Sequence, residues 1–164
     1  ICSEENQKLI ATLVIAVAGL LTFQRSHVWA NSQTLYEDAL KKYPDSPSIH
    51  YNLGLAHQEN GSTKKALDRY QRAIELRPEY ADAYNNIGVI ELEKGNLSVA
   101  ETNFDAALGI NPNHVRALNN LGTLYGKQGK YEEGLKLFQK AMELDPKKSG
   151  EAEELRMKLE EMKN

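Results

Sequence analysis

Glycine stands at positions 54, 88 and 122, and the same interval of 34 residues recurs in other residue classes. Ala66 and Ala100 keep it, with Gly134 next in phase. Tyr70, Phe104 and Phe138 keep it, as do Ala73, Ala107 and Ala141, and then Pro78, Pro112 and Pro146. Self-similarity at a fixed period of this size, sustained over about a hundred residues, constrains the chain to a stacked helical array. Each unit is then one supersecondary element that buries its apolar face only against its neighbours.

Each unit reads as two helices. In the second unit, helix A over Ala81–Lys94 carries Ala83, Tyr84, Ile87 and Ile90 at helical spacing. The "KGN" at Lys94–Asn96 stops it, because Gly95 takes a left-handed cap without steric cost. Helix B follows over Leu97–Gly109 and ends at "NPN", Asn111–Asn113, since proline cannot continue a helix. Units one and three have the same plan, turning at "ENGS" (Glu59–Ser62) and "KQGK" (Lys127–Lys130). The small residues let paired helices approach closely, and Tyr70, Phe104 and Phe138 fill the space between them. Gly134 stands at an alanine position and costs about 1 kcal/mol of helix propensity, which makes the third unit the expected soft one.

The pattern resembles the tetratricopeptide repeat: a large residue, Leu-Gly and an aromatic in helix A, then Ala, aromatic, Ala and Pro through helix B. The second unit meets it with Tyr84, Ile87, Gly88, Ala100, Phe104, Ala107 and Pro112. The third does so with Leu118, Leu121, Gly122, Tyr125, Phe138, Ala141 and Pro146. In the first, Leu53, Gly54, Ala66, Tyr70, Ala73 and Pro78 fit, while His50 and His57 replace the usual aromatics. The resemblance covers residues 47–148. It implies an all-α, right-handed solenoid of antiparallel helix pairs, with repeats at 47–80, 81–114 and 115–148. Tyr36, Ala39 and Pro44 fall in phase with Tyr70, Ala73 and Pro78, so residues 27–46 read as the second helix of a degenerate unit. Residues 149–164 read as a charged capping helix with Leu155, Leu159 and Met162 on one stripe.

A different physics governs the start of the chain. The run "LIATLVIAVAGLLTF", Leu9–Phe23, holds no charge and is bracketed by Lys8 and Arg25. A transmembrane helix needs about 20 mostly apolar residues. The run is shorter, but Lys8 and Arg25 can snorkel and Trp29 offers an interfacial aromatic. Residues 1–26 are therefore read as a single membrane span. A signal peptide cut near Val28-Trp29-Ala30 and a core helix packed on the repeats are the alternatives. The flanking charges do not set an orientation. The first residue is Ile1 and not Met, so the chain is expected to be a processed product or a piece of something longer.

Composition and motifs exclude several function classes. The formal net charge is −3, which leaves no electrostatic footprint for nucleic acid. The single Cys2 excludes an internal disulfide. No phosphate loop, His-Glu-x-x-His or cysteine cluster occurs, so no catalytic residue, metal or cofactor is assigned and the chain itself reads as no enzyme. His50 and His57 lie about 10 Å apart along one helix face, too far to share one zinc easily, and sit where the repeat wants large core residues.

What remains is a groove. If helix A lines the concave side of the stack, Asn52, Asn86 and Asn120 form a ladder on it. Each offers a carbonyl acceptor and an amide donor, the inventory that grips the backbone of an extended peptide. The ladder looks like the one in the repeats of O-linked N-acetylglucosamine transferase, which holds substrate peptide. The other reading is that each Asn bonds a neighbouring helix. Tyr51, Leu55, Asn85, Val89 and Asn119 neighbour the ladder; Glu59, Asp82 and Glu93 are acidic early, and Arg116 and Lys127 basic late. A carboxylate clamp of the chaperone-tail kind fits less well: Asn86 and Arg116 fall on its positions, but Tyr51 and Leu55 do not.

The expected function is a membrane-tethered scaffold binding an extended, mixed-charge protein segment. The stretch Phe23–Gly54 supplies a second reading. Through Arg25, Trp29, Tyr36, Pro44, Tyr51, Asn52 and Gly54 it resembles the junction in the transmembrane and tetratricopeptide-containing O-mannosyltransferases. That resemblance implies the substrate-recruiting tail of a larger membrane enzyme, with the repeats outside the cytoplasm. Self-assembly, the groove of one copy taking a helix of another, is the third.

Overall fold

The helices end where local chemistry ends them. The computed structural model describes residues 32–146, together with 153, 156–158, 160 and 161. Residues 32–42 are helical (α1), followed by α2 (Pro47–Glu59), α3 (Thr63–Leu76), α4 (Ala81–Glu93), α5 (Leu97–Ile110), α6 (Val115–Lys127) and α7 (Tyr131–Leu144). The expected helices of the second unit are matched to within a residue at each end.

Each turn within a repeat is closed by its glycine. Gly61, Gly95 and Gly129 have φ of 71°, 81° and 77°. The next amide then reaches back five residues: Ser62 N–H to His57 O at 2.8 Å, Asn96 to Glu91 and Lys130 to Tyr125, each at 2.9 Å. These bonds satisfy carbonyls that the helix end leaves open. Each turn between repeats is set by proline. Arg77, Asn111 and Asp145 take extended or near-extended conformations at the ends of α3, α5 and α7, because the following proline ring disfavours the helical region.

The paired helices α2/α3, α4/α5 and α6/α7 meet at the glycine–aromatic contacts expected from the period. An ideal Cβ on Gly54 would lie 2.5 Å from Tyr70 Cε1, and one on Gly88 would lie 2.5 Å from Phe104 Cε1. On Gly122 it would lie 3.0 Å from Phe138 Cζ and 3.2 Å from the Gly134 carbonyl oxygen. Tyr70, Phe104 and Phe138 are fully buried. The Tyr70 hydroxyl needs a partner there and donates to Gln58 Oε1 at 2.7 Å.

The pairs then stack. Tyr51 of the first repeat lies 4.8 Å, centroid to centroid, from Tyr80 at the entry to the second, and the Arg77 guanidinium lies 3.8 Å from the Tyr80 ring centre. Helix α4 touches α6 directly, whereas α3, α5 and α7 pack on A helices. The contact between α4 and α6 is the one expected where A helices line the inner side of the stack.

No helix among the described residues is long and apolar enough to cross a membrane. The apolar run Leu9–Phe23, with Arg25 and Trp29, lies outside them, as do Leu155, Leu159 and Met162 of the expected capping stripe. The described residues near the C-terminus are helical, and Arg156 bonds Glu153 and Glu160, each at 2.6 Å.

Two alanine substitutions separate seat glycines from ordinary ones. Gly88→Ala drives a methyl into Phe104 and should lower stability by about 1–3 kcal/mol. Gly109→Ala meets nothing within 4 Å at an exposed position of α5 and should raise it by about 0.5–1 kcal/mol. Urea unfolding midpoints measure both.

Candidate functional site

The inner face carries a polar chain that crosses all three repeats. Asn86 Nδ2–H donates to the Tyr51 hydroxyl at 3.3 Å, and Asn120 Nδ2–H donates to Asn85 Oδ1 at 2.9 Å. In both cases a residue of one repeat donates to the neighbouring position of the repeat before it. Asn85 Nδ2–H then donates to Asn86 Oδ1 at 3.2 Å, which joins the two links. The order is Asn120 to Asn85 to Asn86 to Tyr51. Asn85 is 2% exposed and Asn86 7%, so these amides must be paired, and the chain pairs them.

The expected ladder is thus divided. Asn85 and Asn86 face each other and the preceding repeat, while Asn120 spends one donor there and stays half-buried. Asn52 is half-buried, has no hydrogen bond among the described residues, and lines a shallow hollow with Tyr36, Leu55, Ala56 and Glu59. Asn119 Oδ1 is buried without a partner among the described residues. It occupies the position at which Asn85 accepts from the next repeat, so it is the open end of the chain. Sequence reasoning treated the three ladder residues as equivalent and missed the link between Asn85 and Asn86. The signal was the doubled asparagine at 85–86 and again at 119–120.

The charges on this face also meet. Asp82 and Arg116 hold the same position in successive repeats, and the Arg116 guanidinium bonds the Asp82 carboxylate. The buried His114 joins them: its Nε2 lies 3.1 Å from Asp82 Oδ1, and its Nδ1 accepts the Ala117 N–H at 3.1 Å, capping α6. His114 and Arg116 thus share the Asp82 carboxylate. The acidic-early and basic-late residues are therefore partly neutralised across one repeat boundary. Glu59, Glu93 and Lys127 stay exposed. Leu55 and Val89 are half-buried against the core and supply the apolar part of the face. Burial first, and then the Asp82 charge, raises the Tyr51 hydroxyl above the usual tyrosine range.

Profiles described as tetratricopeptide repeat match residues 51–115 and 115–148, and one described as TPR repeat matches 29–61. The chain belongs to the tetratricopeptide repeat family. A crystal structure of MamA is similar at 28% identity, covering 79% of this chain and 75% of that one, with a TM-score of 0.66. The Arabidopsis OM64 TPR domain is similar at 25% identity, covering 71% and 96%, with a TM-score of 0.66. The first TPR of Spaghetti (RPAP3), bound to the HSP90 peptide SRMEEVD, shares the fold at 20% identity, covering 71% and 92%, with a TM-score of 0.67. A curated relative, a Protein O-mannosyl-transferase of Caenorhabditis elegans, is 33% identical over 66 residues, which are 40% of this chain. The match spans only 10% of that relative's length.

In this tetratricopeptide array His50 and His57 take core seats, 5% and 4% exposed. His50 Nε2–H donates to the Pro44 carbonyl at 2.8 Å. Among the described residues no three His, Cys, Asp or Glu side chains could hold a metal ion. Burial, and then Lys65 and Arg69, hold the His57 imidazole below its ordinary value.

Two measurements check this tetratricopeptide face. Asn86→Ala removes the donor to Tyr51 and strands the Asn85 N–H, and should cost about 1–3 kcal/mol in chemical denaturation. Asn52→Ala should stay within about 0.5 kcal/mol of the parent. The depressed His57 gives a pH signature. The unfolded chain binds its proton near pH 6.5 and the folded chain only lower, so stability falls as pH drops below about 6.5. His57→Phe should flatten that slope in thermal melts at successive pH values.

Proposed function

We propose that this array is a membrane-tethered scaffold for protein–protein interaction that takes an extended, mixed-charge segment along the inner face of α2, α4 and α6. The observation that carries the reading is the division of the asparagines. Asn85 and Asn86 are satisfied inside the fold, while Asn52 and Asn120 keep half-exposed amides with capacity to bond a peptide backbone. Leu55 and Val89 give a bound segment apolar contact, and Arg116, Lys127, Glu59 and Glu93 offer both signs of charge. The same fold in the first TPR of Spaghetti holds a peptide, which supports this use of the architecture. The apolar run Leu9–Phe23 supports the tether.

The second reading is a substrate-recruiting tail of an O-mannosyltransferase-like membrane enzyme, its repeats outside the cytoplasm. It is favoured by the identity to the Caenorhabditis elegans Protein O-mannosyl-transferase. Both readings use the same groove and differ in what precedes it.

An array of short unstructured peptides, probed with the full chain, tests the groove. The double variant Asn52→Ala, Asn120→Ala should weaken the best peptides about tenfold, two backbone hydrogen bonds at about 0.7 kcal/mol each. Equal affinity at equal stability would refute the groove reading. Protease protection of a C-terminal tag in sealed microsomes tests the placement of the repeats.

A further inference from the structure

The sequence contains two Asn-x-Ser triplets, Asn60-Gly61-Ser62 and Asn96-Leu97-Ser98, each at a turn inside a repeat. Such a triplet is an acceptor for an N-linked glycan when it lies on the surface of a chain that enters the secretory lumen. The fold treats the two differently.

Asn60 is exposed, and its amide reaches only Gln33 Oε1, at 3.5 Å, the outer limit of a hydrogen bond. Its whole triplet lies between α2 and α3, and the space around Gly61 holds no atom within 4 Å of a Cβ position. Asn96 is exposed as well, but its amide is engaged. Its Nδ2–H donates to Glu91 Oε2 at 2.6 Å, and Lys94 holds the other carboxylate oxygen at 2.9 Å. Glu91 is 9% exposed, and the bond from Asn96, ahead of that from Lys94, holds its carboxyl below the usual range. Leu97 and Ser98 already belong to α5. A glycan on Asn96 would crowd a short bond to a buried carboxylate at the helix start, whereas a glycan on Asn60 displaces nothing.

We propose that Asn60 is an N-glycosylation site and that Asn96 is not, an inference that rests on the extracytoplasmic placement of the repeats proposed above. The glycan donor is a lipid-diphosphate-linked oligosaccharide. The Asn60 Nδ2–C1 bond forms, the C1–O bond to the diphosphate breaks, the lipid diphosphate leaves, and the amide gives up one proton.

The test uses residues 31–164, which hold every described helix and leave out the apolar run, fused to a cleavable secretory signal, expressed in eukaryotic cells and digested with an amidase that removes N-glycans. The expected result is a mobility shift of one glycan, lost in Asn60→Gln and kept in Asn96→Gln. Ser62→Ala should also lose it, although Ser62 makes no side-chain capping bond and its removal leaves the helix start intact. A shift that survives Asn60→Gln, a shift of two glycans, or no shift at all overturns the assignment. The protein expressed from its own natural reading frame, with whatever precedes residue 1, reports on placement alone. If it carries no glycan while the fused repeats are modified at Asn60, the extracytoplasmic placement is overturned and the acceptor assignment stands.

Discussion

An aromatic ring seated on a glycine is the contact on which every repeat of this array depends. Tyr70, Phe104 and Phe138 each fill the space that a missing Cβ leaves on Gly54, Gly88 and Gly122. Burying such a ring contributes about 1.5–3 kcal/mol. The seat fixes both the separation of the two helices and their relative rotation. The remaining contacts follow from it: buried Ala66, Ala73, Ala100 and Ala107 allow close approach beside the ring, and the turn glycines return the chain at the right height.

A pair so formed still exposes one side, which only the next pair can cover. Two of the apolar clusters that do the covering each draw on two successive repeats. The polar chain from Asn120 to Tyr51 runs across the same boundaries. Apolar contact alone is tolerant of small slips, whereas a buried amide left without a partner is costly. The asparagines therefore set the register of the stack, and the groove is lined partly by the residues that hold it together. Its open end, Asn119 Oδ1, unpartnered among the described residues, stands where another repeat would supply a donor.

Charge follows the same repeat logic. Asp82 and Arg116 are equivalent positions carrying opposite signs, so stacking brings them together, and the His114 ring ties Asp82 to the start of α6. Exposed ion pairs of this kind add little stability. Their effect is on the face itself, which presents a neutralised boundary between its second and third repeats, with Lys127, Glu59 and Glu93 exposed.

Helix limits, turn glycines, proline stops and ring seats were all legible in the sequence. Each depends on contacts inside one unit of 34 residues, where a residue's neighbours are set by its own numbering. The division of the groove asparagines was not legible. Asn52, Asn86 and Asn120 hold the same place in the repeat, and a linear pattern gives them one role. Stacking separates them, because Asn86 meets Tyr51, Asn120 meets Asn85, and Asn52 has no hydrogen-bond partner among the described residues. The sequence by itself determined what a repeat is. Only the tertiary structure decided which equivalent residues the stack consumes, because donor and acceptor stand on different repeats and meet only when those repeats are superposed.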